Sequence, residues 1–146
     1  DMNLSRLLLR QEIDYNVNCL KQVRERVGDE QVKYNRTFKR DEMGGWYAEG
    51  DPIHALMDFH PSVLNWTIWE GKTASVAASL APKELTDVMN FYGCLKVASA
   101  YQERFLSHMG SKSDPATFLV AAGRIMNDVL IKVTLAIDAR PELSND

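Results

Sequence analysis

The sequence predicts an all-α protein, an antiparallel helical bundle of three long helices plus a short tryptophan-rich helical insertion, folded as one domain over residues 1–146. Three observations lead there. Apolar residues recur at helical spacing through three segments of more than twenty residues. Prolines stand where a first helical turn accepts them, at Pro52, Pro82 and Pro115. Alternating apolar and polar residues, the mark of a strand, are nearly absent.

The first segment runs from Asn3 to Gly28 with no proline or internal glycine. Leu9, Ile13, Val17, Leu20 and Val27 form one stripe, and Leu4, Leu8, Tyr15, Cys19 and Val23 widen it, which predicts an amphipathic helix ending at Gly28. From Asp29 to Gly50 the periodicity disappears, and charges together with Gly44-Gly45 predict a long connection, tacked onto the bundle by Trp46-Tyr47. Asp51-Pro52 supplies an N-cap and a first-turn proline for a short helix to about Phe59. Pro61 is expected to open a second short helix, well buried through Trp66, Ile68 and Trp69, with Gly71 as its stop or kink.

A third long segment starts at Pro82 and carries Leu85, Val88, Met89, Tyr92, Leu95, Ser99, Gln102, Leu106 and Met109. Gly110-Ser111 ends it. The last helix opens at Asp114-Pro115, continues to about Arg140 through Leu119, Ala122, Met126, Val129 and Val133, and stops at Pro141.

Charge and composition narrow the functional classes. With 17 basic and 20 acidic residues, net −3, and the two signs interspersed, no stripe exists to displace counterions, so we expect no nucleic-acid partner. The densest basic run, Lys33 to Arg40, is followed at once by Asp41 and Glu42. Cys19 and Cys94 make no zinc pattern; buried thiols are expected, a single helix-to-helix disulfide being the alternative. No run of about 18 apolar residues is present to span a membrane.

Three constellations could carry chemistry. In "DPIHALMDFHP", His54, Asp58 and His60 fall within seven positions, close enough to try as metal ligands. Helical geometry pairs His54 with Asp58, whereas His60 precedes Pro61 and is pushed toward extended backbone, so a helix surface pair and a turn histidine is the plainer reading. Arg104 and His108 sit one helical turn apart. HEPN-class ribonucleases place an Arg and a His on one helix with one more residue between them, so the spacing here departs from that family.

The third constellation is polar residues on apolar faces: Glu12, Asn16, Asn65, Glu70, Ser99 and Gln102. Such residues ordinarily hydrogen-bond and fix helix register. The functional alternative is a small pocket lined by Trp66, Trp69, Tyr92 and Tyr101, with Asn16 or Gln102 supplying polarity. No nucleophile motif or phosphate-binding glycine loop is present, and no cofactor is expected.

Two segments carry a resemblance. "LLLRQEIDYNVNCL" has Glu12 and Asn16 four apart followed by Leu20, and "HPSVLNWTIWEGKTASVAASLAPKELTDVMNFYGCL" has Trp69-Glu70, then Leu80, Pro82, Leu85 and Tyr92. Together they resemble the helical domain of small bacterial proteins that carry one or two transmembrane helices upstream. The resemblance covers about a third of the chain and implies a membrane-tethered helical domain rather than an activity. The charged loop from Asp29 to Gly50 departs from that pattern, whereas the start at Asp1, running into an apolar helix, fits it and suggests a natural N-terminus further upstream. The expected function is therefore protein interaction or sensing, through a protein partner or self-association. The alternative is a metal-dependent or nucleic-acid-directed hydrolase using His54, Asp58 and His60 or Arg104 and His108.

Overall fold

A computed structural model describes residues 2–48, 63–109 and 115–143, with the side chains of 2, 36–40, 46–48, 109 and 115–120 excluded. Helices dominate. Among the described residues they are α1 (Met2–Thr37), α2 (Thr67–Gly71), α3 (Thr73–Ala78), α4 (Pro82–Met109) and α5 (Pro115–Asp138), with a two-stranded ribbon, β1 (Phe38–Arg40) and β2 (Trp46–Ala48), after α1. Among the described residues no helix is long and apolar enough to cross a membrane.

Helix α1 does not end at Gly28 but continues to Thr37, 36 residues in all. An interior glycine costs roughly 1 kcal/mol relative to alanine. Burial beyond it outweighs that cost, because Tyr34 joins the core cluster and lies against Gly123 of α5.

The expected connection after residue 29 is instead the end of this helix and a tight antiparallel ribbon, Phe38 facing Ala48 and Arg40 facing Trp46. Its turn is built by Asp41. The Asp41 carboxylate accepts the Met43 N–H at 2.9 Å and the Gly45 N–H at 2.7 Å. Gly44 takes φ +81°, a left-handed conformation that only glycine adopts freely. The side chains of Trp46 and Tyr47, and the helix expected over 52–59, lie outside the described residues.

The core is a single cluster contributed by α1, α3, α4 and α5, with Leu9, Val17, Leu20, Val76, Phe91, Leu95, Met126 and Val133 fully enclosed. Helix α5 packs along both α1 and α4. Small residues allow the close approach: Ala122 and Ala136 are buried, and a Cβ on Gly123 would lie 2.7 Å from the Tyr34 ring. Tyr34 opposite Gly123 and Asp14 paired with Arg140 show that α1 and α5 run in opposite senses. Arg6 with Glu84 and Glu12 with Tyr92 show that α1 and α4 run in the same sense. A long connection between them permits this, whereas a short turn would force reversal.

The tryptophan-rich segment lies between α1 and α4. The helix expected from Pro61 starts later and is less buried, since residues 63–66 are non-helical, whereas its expected stop at Gly71 holds: α2 ends there after five residues and α3 follows with six. Trp66, Ile68 and Trp69 are half-buried, and Val76 of α3 is fully buried. Asn65 explains the late start. Its side-chain oxygen accepts the Thr67 N–H at 3.0 Å and the Thr67 hydroxyl at 2.7 Å, a local turn that competes with helix.

Candidate functional site

The polar residues on apolar faces converge in one place, where α1 meets the 63–71 segment. Glu12, Asn16 and Cys19 lie on one side of α1 at spacings of four and three, and all are buried. The Glu12 carboxylate carries no salt bridge to a cation among the ion pairs described, and three neutral donors satisfy it. It accepts the Ile68 N–H at 2.7 Å, the Trp69 N–H at 3.2 Å and the Tyr92 hydroxyl at 2.6 Å. Two of those donors are the first-turn amides of α2, which have no partner within their own helix.

Asn16 reads the backbone of a single residue from both sides. Its Nδ2 donates to the Asn65 carbonyl at 2.5 Å, and its Oδ1 accepts the Asn65 N–H at 2.8 Å. One turn from Glu12, the Tyr15 hydroxyl donates to the Val63 carbonyl at 2.8 Å. Positions 12, 15 and 16 thus hold residues 63, 65, 68 and 69 through five bonds to main chain.

Side-chain packing closes the other flank. Trp69 stacks on Tyr92 with ring centroids 5.2 Å apart and planes within 10°, and Phe91 meets Tyr92 edge-on at 5.3 Å. Lys96 of α4 pairs with Glu70 and lies 6.0 Å from the centre of the Trp66 ring. Below this level, Arg6 donates to both carboxylate oxygens of Glu84, at 3.0 and 2.5 Å, and to the Ser79 carbonyl at 3.1 Å. Glu84 also accepts the Ala81 N–H at 3.0 Å, which caps the start of α4 after Pro82.

The electrostatics follow from this enclosure. Burial pushes the Tyr92 phenol well above its ordinary value, and the hydrogen bond to the Glu12 carboxylate adds to the shift, since a phenolate there would face a negative charge. The Cys19 thiol beside its hydroxyl raises Tyr15 in the same direction. Both phenols therefore remain neutral donors through the ordinary pH range.

Of the expected pocket residues, Asn16, Trp66, Trp69 and Tyr92 come together, but their polar atoms and rings are spent on one another and on the main chain of 63–69. Gln102 stands ten positions beyond Tyr92 on α4, about 15 Å along the axis, and Tyr101 lies under Lys132 of α5, 5.4 Å from the ring centre. Gln102 is only 3% exposed, and neither of its amide atoms has a partner among the described residues.

His54, Asp58 and His60 lie outside the described residues, and among the described residues no group of three or more metal-binding side chains is present. Arg104 is exposed and His108 half-buried on the outer part of α4. Cys19 and Cys94 are free thiols, Cys19 buried as expected but Cys94 only half-buried. Two open clefts of about 460 and 470 Å³ flank the segment after α5; Arg10, Asp14, Arg140 and Glu142 line the first, and Lys83, Asp87, Asp138 and Arg140 the second. Both mix charges of either sign, and Arg140 is already paired with Asp14.

Sequence reasoning singled out Glu12, Asn16, Asn65, Glu70 and Tyr92 but missed Tyr15, Arg6 and Lys96. A signal existed for Glu84, which stands three positions after Ala81 just inside a proline start, the position from which a glutamate caps a helix. No family model matches the chain, and no curated protein or solved structure matches it.

Proposed function

We propose that this chain is a non-enzymatic helical domain serving protein interaction or sensing, and that its three long helices form a single bundle held at a bacterial membrane by a segment upstream. The observation that supports interaction is the placing of exposed apolar side chains. Leu4 and Leu7 of α1 are 52% and 47% exposed, and Ile131 and Leu135 of α5 are 48% and 51% exposed, each pair one turn apart. Meanwhile the buried polar groups of Glu12, Asn16 and Tyr92 are occupied by internal bonds. A domain of this kind meets other molecules through its outer helix faces.

The membrane tether rests on the resemblance in the segments around Glu12–Leu20 and Trp69–Tyr92. The hydrolase alternative rests on residues outside the described part and on the Arg104–His108 pair of one helix.

The test is light scattering over a wide concentration range, on the wild type and on the pairs Leu4→Lys/Leu7→Lys and Ile131→Lys/Leu135→Lys. Concentration-dependent assembly that one pair abolishes, with the helical circular-dichroism signal unchanged, supports interaction through that face. A protein that stays monomeric and whose natural gene encodes no membrane segment upstream contradicts the reading. RNA or metal-dependent hydrolysis lost on His108→Ala or on chelation replaces it with the alternative.

A further inference from the structure

We infer that residues 63–71 form a latch that opens from α1 as a unit, pivoting at Lys72, while α1, α4 and α5 stay packed. The inference stands apart from the proposed function; if that function is sensing, the latch is its moving part.

Four observations carry it. The segment is held to α1 chiefly by side chains that bond its main chain, Tyr15 to Val63, Asn16 to Asn65, and Glu12 to Ile68 and Trp69. None of its residues is fully buried; Val63 is 77% exposed, and the first fully enclosed side chain after it is Val76, beyond the pivot. Its helix has five residues, too few to persist without those contacts. Lys72 has φ −126° and ψ 31°, a non-helical residue between α2 and α3, so the bonds that cross the pivot are the Lys72 N–H to the Ile68 carbonyl and the Thr73 hydroxyl to the Trp69 and Glu70 carbonyls rather than a continuous helical ladder.

On the far side of the pivot the chain is anchored. Val76 is fully buried, and Arg6 ties the Ser79 carbonyl to Glu84. The long helices meet one another through α5, without the latch. Leu64, Trp66, Ile68 and Trp69 are only half-buried where they pack on the core, and Trp69 on Tyr92 and Glu70 with Lys96 add contacts to α4; a segment that buries less apolar area than the core it covers opens at lower free energy. Opening here uncovers the Glu12 carboxylate, the Asn16 amide and the face of Tyr92.

Cys19 reports the motion, because its thiol is buried beside the Val63 carbonyl, 4.0 Å away. In a Cys94→Ser background, the rate at which a thiol reagent labels Cys19 is measured against urea, alongside amide exchange at Val129 and Val133 in the core of α5. The latch gives Cys19 labelling a shallow urea dependence and α5 exchange a steep one, since local opening exposes less surface. Asn16→Ala, which removes two hydrogen bonds, and Glu12→Gln, two turns from the thiol, each speed labelling at least about tenfold, with the urea slope of α5 exchange unchanged. Labelling that follows α5 exchange in rate and urea slope overturns the inference, since 63–71 then leaves only when everything unfolds. So does labelling that Glu12→Gln leaves unaltered. The wild-type slopes decide the matter even if a variant fails to fold.

Discussion

Replacing Glu12 with glutamine keeps the size of the side chain and exchanges one acceptor for a donor. The carboxylate accepts three hydrogen bonds while 5% exposed. A glutamine oxygen can retain the Ile68 amide, but its NH2 then faces both the Trp69 N–H and the Tyr92 hydroxyl, and in the flipped orientation it faces the Ile68 N–H, donor against donor either way. Leaving one buried donor unsatisfied costs about 1–3 kcal/mol, and charge-assisted bonds are individually worth about 1.5–3 kcal/mol. Rotation of the Tyr92 hydroxyl recovers part of this, so a loss of roughly 2–4 kcal/mol is expected. For a chain of this length that corresponds to a fall in Tm of roughly 5–15 °C. Urea denaturation followed by circular dichroism measures the loss, and tryptophan fluorescence in a Trp46→Phe background follows Trp66 and Trp69 in the same samples. Glu103→Gln, at an exposed position of α4, is the control. A Glu12→Gln protein within about 0.5 kcal/mol of wild type, the usual range for surface changes, refutes the argument that the carboxylate organises this junction.

Other outcomes follow from the same geometry. Gln102→Leu removes two buried polar atoms that have no partner among the described residues, and is expected to stabilise the fold by about 1–2 kcal/mol in urea titration. Gly123→Ala drives a methyl to 2.7 Å from the Tyr34 ring and is expected to cost about 1–2 kcal/mol despite the better helix propensity of alanine, with the loss largely relieved when Tyr34 is also changed to Leu. Tyr92 holds its proton more tightly folded than unfolded, so its contribution is intact below the ordinary phenol value of 10.0 and is lost as pH rises above it. Tyr92→Phe should therefore flatten the alkaline fall in stability measured by urea titration between about pH 9 and 11.

Much of the helical framework was readable because it rests on local rules. Pro82 and Pro115 begin α4 and α5 as first-turn prolines should, and the stripes through Leu9–Val27 and Ala122–Val133 are the faces that are buried. Boundaries failed where tertiary burial overrode local preference: Gly28 reads as a stop, but Tyr34 packing against Gly123 carries α1 onward. The ribbon failed for another reason. Strands of three residues have too little length to show alternation, and their legible sign was the turn chemistry of Asp41 with Gly44-Gly45.

The junction was half legible. Glu12, Asn16 and Tyr92 stand out as polar groups on apolar faces, yet what Glu12 and Asn16 bind is mostly the main chain of residues 65–69, and a backbone amide carries no residue-specific signature in the sequence. Asn65 reads in the sequence as a polar residue of a helix, whereas it is the residue whose turn delays the helix. Pattern reasoning counts polar residues well; it has no means of pairing them with amides fifty positions away.

The central claim is that α1 holds the 63–71 segment through Glu12 and Asn16 and so makes Trp69 stack on Tyr92. Nuclear Overhauser measurements on labelled protein test it directly. Contacts from the Asn16 side-chain amide to the Asn65 backbone, and between the Trp69 and Tyr92 rings, are the expected result, given a centroid separation of 5.2 Å. Trp69 ring protons that show contacts to neither Tyr92 nor α1, in a protein whose α4 and α5 contacts are intact, would contradict it.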